Sequence, residues 1–409
     1  MTNSNINNLM RKHEEEVAVV SYAITPFIRS TEIQWRKFLV DTTYNALEKA
    51  NLEPNDIQVG SVGYNERTIP EGALGPIVVD AIGFDVRTPM IAVSNACAAG
   101  GLAHFNIVNF LASKKFDIGL VLTFQKSETV DIVGGMDPIG NRADYDQVFG
   151  FSHIQYSQLQ SKKYREKYGY EDFKASGKWC YDEMTVAVKN PFAVKMGEEI
   201  PSLEEYQDPG PNGIKLRQVA GRGPTATATI LARREIAETL TDKPIITDSH
   251  FTFRSPYIGE HYNWKAVPQY AHADITNAPH ITETLEELLR IHKIERSDIG
   301  VVQVHDLSPE QGMIALEGLG IASEGEAGNY VLEGGMLLDS EVPVNTFGGF
   351  IGFGHASVGS DFHGPFFENC DQLLGKAGER QLKNVEVAVN ESYGTHRSME
   401  VIGLVKKGW

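Results

Sequence analysis

The sequence predicts an α/β protein with a largely buried sheet, built from a duplicated domain whose first copy carries an insertion. Three observations carry that expectation. Apolar β-branched segments alternate with helical stretches, one helix–turn–strand pattern occurs twice, and a polar region rich in Tyr, Lys, Gln and Glu lies between the two occurrences.

Order is expected from Val17, where VAVVSYAITPF reads as a buried strand followed by a loop. The helical stretch TEIQWRKFLVDTTYNALEKANL comes next, and DIQVGSVGY forms a second strand. The repeat is visible when ALEKANLEPNDIQVGSVGY is set beside LLRIHKIERSDIGVVQVHD. Each is a helix end, a short polar turn, and an Asp-Ile pair opening an apolar strand. Asp56-Ile57 and Asp298-Ile299 lie 242 residues apart, far too distant for a solenoid period, so the pattern points to domain duplication. Residues 126–220 read as an insertion that leaves the first domain and returns to it. It holds the helical HIQYSQLQSKKYREKYGY and the turn-forming DPGPNG, and insertions of this kind often cover a site. The expected domains are 17–250, containing the inserted 126–220, and 251–409.

At 409 residues the chain exceeds one ordinary core. A hydrophobic fraction of 42% with 22% charged residues is that of a soluble globular protein. The net charge of −17, from 37 basic and 54 acidic residues, argues against a nucleic-acid partner, while a local basic pocket for an anionic substrate remains compatible with it. Three widely spaced cysteines, Cys97, Cys180 and Cys370, form no C-x-x-C pair, so neither a disulfide framework nor a metal bound by this chain is expected. The polar N-terminus lacks the apolar core of a signal peptide, and no apolar run approaches the roughly 20 residues of a membrane helix. A cytoplasmic protein without membrane attachment is the expectation.

Cys97 sits in VSNACAAGGLAHFNIVNFLASKKFD, where an apolar strand ends and a helix begins. A cysteine there meets the positive end of the helix dipole and free backbone N–H groups, which favour the thiolate that nucleophilic catalysis needs. The plainer reading is a small buried cysteine in a tight turn. His355 and Ser357 lie in NTFGGFIGFGHASVGSDFHGPF, whose small residues let the backbone crowd a ligand and aim one imidazole. A glycine loop around a satisfied histidine is the alternative, and the spacing of Gly352, Gly354 and Gly359 does not match a dinucleotide fingerprint. His305 and Asp306 end the repeated strand in QVHDLSPEQ, either as an orienting pair or as a capped turn. His153, in FGFSHIQ, has the weakest local case and on local sequence reads more readily as a surface or core histidine.

Taken together, SNACAAGG, VHDLS, GGFIGFGHASVG and VNESYGTHRSMEVIGL fall in the order of the four motifs of the thiolase superfamily, and the resemblance covers the chain from Val17 onward. It implies a thiolase fold of two duplicated βαβ-layered halves with an inserted loop domain, usually dimeric. Cys97 matches the family's acyl-accepting cysteine, and His355 matches the Gly-His motif whose histidine activates it and helps form an oxyanion hole. His305-Asp306 resembles the His-Asp motif of sterol-carrier-type thiolases. FGFSH with His153, the LEGG run and GHAS make the chain similar to the thiolase-like subunits of bacterial phloroglucinol acetyltransferases, a resemblance that implies roles for Cys97, His153, His355 and Ser357. It is similar also to benzoylsuccinyl-CoA-type thiolases, several of which work with a small OB-fold, zinc-ribbon subunit.

Departures from the family pattern bear on mechanism. Ser392 stands where biosynthetic thiolases carry a second cysteine in Cys-x-Gly, and Leu307 stands where sterol-carrier-type thiolases place one after His-Asp. The resemblance therefore implies acyl transfer with C–C bond formation or cleavage on a coenzyme A thioester, through an acyl group on Cys97. Activation would come from His355, backbone N–H groups near Cys97 and Gly394 would face the oxyanion, and His153 would serve the second substrate. The rival expectations are a retro-aldolase on the same scaffold, a non-catalytic scaffold subunit, and a protein that binds CoA esters without turnover.

Overall fold

A computed structural model describes residues 15–26, 34–64, 73–125, 153–208, 220, 223–253, 274–355, 360–394 and 397–409, with 153, 154 and 360 described in their backbone only. The first half runs β1 (Val17–Ile24), α1 (Trp35–Ala50), β2 (Val59–Gly63), α2 (Leu74–Ile82), β3 (Met90–Val93), α3 (Ala99–Ala112) and β4 (Ile118–Gln125). Then come α4 (His153–Tyr168), α5 (Lys174–Ala187), α6 (Leu203–Gln207), β5 (Thr225–Arg233) and α7 (Arg234–Leu240). The second half opens with β6 (Ile245–Phe253), α8 (Pro279–His292), β7 (Ile299–Gln303), α9 (Pro309–Leu319) and α10 (Ala327–Leu332). It closes with α11 (Gly349–Phe353), α12 (Ser360–Leu374), β8 (Val387–Gly394) and β9 (Met399–Lys407). The helical stretch read from the insertion's sequence is α4.

The strands form one nine-stranded sheet in the order β3-β2-β4-β5-β1-β6-β9-β8-β7. Its halves repeat one another. β2 runs parallel to β4, with β5 antiparallel to β4 and β1 antiparallel to β5. Likewise β7 runs parallel to β8, with β9 antiparallel to β8 and β6 antiparallel to β9. The two runs meet where β1 pairs antiparallel with β6, Val17 opposite Thr247. Even β3 has a remnant counterpart, a single parallel bridge between Val302 and Val344.

The repeated sequence produces repeated backbone. Asn51 and Lys293 end their helices in the left-handed region at φ 53° and 54°. The turns that follow carry matching capping boxes, with Asp56 accepting from the Glu53 amide at 2.8 Å and Asp298 from the Glu295 amide at 2.9 Å. Each box satisfies backbone donors that the turn would otherwise strand.

Side-chain alternation along the strands divides the core into layers. Leu120 and Leu122 of β4 pack with Leu39 and Leu47 of α1 and Val78 of α2, whereas Val121 joins Ile107 of α3. In β8, Val387 and Val389 pack with Leu285 and Leu288 of α8, whereas Ala388 faces Phe362 and Phe366 of α12. The order is outer helices, first-half strands, α3 with α12, second-half strands, outer helices. The central helices approach closely at Gly101, where a Cβ would lie 2.4 Å from Cγ1 of Val401 and 2.9 Å from Cδ2 of Phe362.

A fully buried charge cluster sits where β8 turns into β9. The Arg397 guanidinium donates to Glu391 at 2.9 Å, to Glu400, and to the Gln311 carbonyl at 2.8 Å, and it lies 4.2 Å from the centroid of the Tyr393 ring. The nearest nitrogen of His280 is 3.9 Å from Glu400. One cation faces two carboxylates, and burial, followed by the charge of Glu391, pushes the Glu400 carboxyl well above the usual carboxylate range. The folded state therefore keeps a proton that the unfolded chain releases, and this group's contribution to stability falls as pH rises above about 4. Glu400→Gln supplies a neutral group of the same shape. Urea unfolding across pH 5 to 8 is expected to show the variant gaining on the parent as pH rises, by about 1 kcal/mol or more at pH 8. A difference that does not change with pH would show that Glu400 holds no such proton.

Candidate active site

Cys97 lies between the end of β3 and the start of α3 at Ala99, the strand-to-helix junction expected from the sequence. No acidic residue occupies the first turn of α3 to oppose a thiolate. The preceding Ala96 is held at φ 48°, a left-handed conformation in which its small side chain limits the cost. Gly394, at the end of β8, passes this loop so closely that a Cβ would lie 2.9 Å from the Asn95 carbonyl oxygen and 3.5 Å from the Ala98 nitrogen. Only glycine admits that approach.

His305 follows β7 and is wholly buried. Its amide donates to Glu391 at 2.8 Å, which ties its backbone to the Arg397 cluster. The ring is packed by Phe350 at 4.6 Å, Tyr393 at 4.4 Å and His355 at 5.1 Å between centroids. Asp306 turns to other partners. Its carboxylate accepts from the Phe350 amide at 2.9 Å and from the Trp179 indole at 3.0 Å, fastening α11 and α5. Burial pushes its carboxyl up to about 6. The neighbouring Glu183 is raised as well, by burial first and by the charge of Asp306 second. So the His-Asp dipeptide divides its work, histidine to the site and aspartate to the scaffold.

His355 is 3% exposed and precedes α12. One of its ring nitrogens lies 3.0 Å from the carboxylate of Asp361, a fully buried residue in the first turn of that helix. A donor atom from each of Cys97, His305, His355 and Asp361 falls within 4.8 Å of every other. Three of these four were expected from the sequence. Asp361 was not, and the available signal was an aspartate six residues beyond the histidine, in the first turn of the helix that follows.

The other expected residues fare differently. His153 is the first residue of α4, and its side chain lies outside the described residues, as does Ser357. Ser392, which the sequence resemblance sets against a second cysteine, has its hydroxyl 3.4 Å from a His305 ring nitrogen and donates to the Cys97 carbonyl at 3.5 Å. Leu307 is buried. Cys180 and Cys370 are wholly buried in α5 and α12, and burial pushes both thiols well up, as suits inert core residues.

Comparison with known proteins finds thiolase-like relatives and folds. The family profile described as "Thiolase C-terminal domain-like" matches residues 269–407. The acetyl-CoA acetyltransferase of Methanothermobacter thermautotrophicus is 23% identical over 93% of this chain and 96% of the relative. The benzoylsuccinyl-CoA thiolase subunit BbsB of Thauera aromatica is 24% identical over 84% of this chain and 86% of the relative. In fold, the chain is similar to the Ltp2-ChsH2(DUF35) aldolase, with a TM-score of 0.78 at 19% identity, covering 96% of this chain and 98% of that one. Duplicated halves, a cysteine at the start of one central helix, a histidine at the start of the other, and these likenesses together give the chain a thiolase-like fold, with residues 269–407 matching the thiolase C-terminal domain-like family.

Proposed function

We propose that this protein is a thiolase-like acyltransferase that forms or cleaves a C–C bond through an acyl group on Cys97, with a coenzyme A thioester as substrate. The observation that carries this reading is the convergence of Cys97, His305, His355 and Asp361 where the two central helices begin. His355 takes the thiol proton, and the Asp361 carboxylate at 3.0 Å steadies the imidazolium that results. The thiolate attacks the carbonyl carbon of the acyl donor. When a C–C bond is to be formed this is the thioester carbon, with CoA leaving; when one is cleaved it is the 3-oxo carbon, with the CoA-bearing fragment leaving. The tetrahedral oxyanion is met by backbone N–H groups near Cys97 and Gly394, aided by His355. Each such donor is worth about 10²–10³ in rate. Collapse of the intermediate expels the first leaving group and leaves acyl-Cys97.

Transfer to the second partner needs another acid/base group, because Ser392 and Leu307 occupy the places of the second cysteine. We assign that task to His153, which opens α4, with Ser357 orienting the acyl oxygen or His355. A homodimer is part of the proposal. β3 ends the sheet on one side and exposes Ile91, an apolar edge suited to cover by another chain. A small OB-fold, zinc-ribbon subunit is proposed as a further partner, and the fold neighbour Ltp2-ChsH2(DUF35) is itself an assembly of two named components. Light scattering of the protein expressed with and without such a subunit tests both associations. Among the described residues no helix is long and apolar enough to cross a membrane, and cysteines that form no disulfide there suit the reducing cytoplasm we infer.

A second reading, aldol cleavage of an acyl-CoA, draws on that same fold neighbour, which is an aldolase. The two readings part at the thiol. Incubation with a panel of acyl-CoAs followed by peptide mapping is expected to place the acyl mass on Cys97, and Cys97→Ala is expected to abolish turnover. A Cys97→Ala variant that still cleaves substrate would establish the aldolase reading instead.

Asp361→Asn is expected to slow alkylation of Cys97 by iodoacetamide at neutral pH by about 10-fold or more, since the histidine base loses its charged partner. An unchanged rate would remove Asp361 from the activating role. For His153→Ala, single-turnover kinetics are expected to show normal formation of acyl-Cys97 and transfer slowed by about 10²–10⁴-fold. Equal slowing of both half-reactions would reduce His153 to a packing residue.

A further inference from the structure

Spacing along the chain gives no metal motif, yet folding gathers four residues of types that coordinate zinc. Cys97 comes from the strand-to-helix junction before α3, His305 from the end of β7, His355 from the segment before α12, and Asp361 from the first turn of α12. A donor atom of each lies within 4.8 Å of the other three. In a tetrahedral zinc site with bonds of about 2.0–2.3 Å, neighbouring donors stand roughly 3.3–3.8 Å apart. The His355 and Asp361 atoms already meet at 3.0 Å, and the rest need only a modest contraction about a shared centre.

We propose that these four residues form a binding site for a divalent zinc-class cation, and that occupancy holds the protein in an inactive state. Charge favours it. A thiolate and a carboxylate contribute two negative charges, two neutral imidazoles contribute none, and a divalent cation brings the buried site to neutrality. Ligand softness selects zinc over magnesium or calcium, which take oxygen donors. The supports are built in as well. His305 is fixed through its amide by Glu391 and through its ring by Phe350 and Tyr393, so its orientation is set before any ion arrives. Once the thiolate is a ligand, its lone pair is engaged and the imidazole of His355 no longer accepts a proton. Metal and acyl donor therefore compete for the same sulfur.

The binding itself does not depend on the acyl-transfer reading, whereas the inactive state rests on it, so the test of binding uses readouts other than turnover. Full-length protein freed of metal with a chelator is titrated with Co2+, whose absorption reports both thiolate ligation and tetrahedral geometry. One equivalent is expected to give a thiolate-to-cobalt charge-transfer band that added Zn2+ abolishes and Mg2+ leaves unchanged. Cys97→Ala is expected to lose that band, and Cys180→Ser to keep it. Asp361→Asn is expected to weaken Zn2+ binding by more than the ~10–100-fold typical of removing an outer-shell partner. In unaltered protein, Zn2+ is expected to protect Cys97 from iodoacetamide, with recovery on chelation. Absence of the band at one equivalent, its survival in Cys97→Ala, or alkylation of Cys97 at an undiminished rate with Zn2+ present would each overturn the proposal.

Discussion

The packing of α3 against α12 brings Cys97, His355 and Asp361 together. Gly101 lets α3 come within contact of Phe362 on α12 and of Val401 on β9, so the two central helices share one apolar cluster with strands from both halves. Their first turns consequently lie near one another. Cys97 stands two residues ahead of one helix, and His355 and Asp361 straddle the start of the other. Duplication thus supplies two helix N-termini for a single site, and the positive ends of both dipoles favour a thiolate and a carboxylate there. Moving either helix would separate the nucleophile from its base without touching either residue.

How much of this was legible in the sequence depends on whether a feature is local. The repeat was readable because both copies encode the same short-range solution. Glu53 with Asp56, and Glu295 with Asp298, close capping boxes within four residues, and Asn51 and Lys293 end their helices in the same conformation. Cys97 was readable because a strand end followed by small residues and an apolar helix is itself a local pattern. Asp361 was not, since its meaning depends on the direction in which the first turn of α12 faces. The division of labour between His305 and Asp306 was hidden for the same reason. The aspartate's partners, Trp179 and the Phe350 amide, come from distant segments.

Absence of a metal motif in the spacing had the same origin. Rules for zinc sites in sequence detect ligands that share a turn or a hairpin, as C-x-x-C does. Here the four donors span the chain from residue 97 to residue 361, and only tertiary packing assembles them. Sequence spacing therefore speaks to metal sites that help a chain fold, and it is silent on sites that a finished fold creates.

Ser392 shows what the substitution of one residue asks of the rest. A cysteine at this position would offer a second thiol able to exchange a proton near neutral pH, whereas an aliphatic hydroxyl stays protonated there. Its hydroxyl instead reaches the Cys97 carbonyl at 3.5 Å and the His305 ring at 3.4 Å, so it links the nucleophile loop to the histidine rather than shuttling a proton. The buried groups around it do not fill the gap. Cys180 and Cys370 are sealed in the core with raised thiols, and Tyr393 is likewise pushed well above its ordinary range, by burial first. On the proposed acyl-transfer reading, the described residues supply a thiol and a base for the first half-reaction and leave the proton of the second without a carrier. On that reading the proton carrier is the substrate itself or the proposed His153 at the head of α4, and the proposed role of His153 is what separates the two half-reactions.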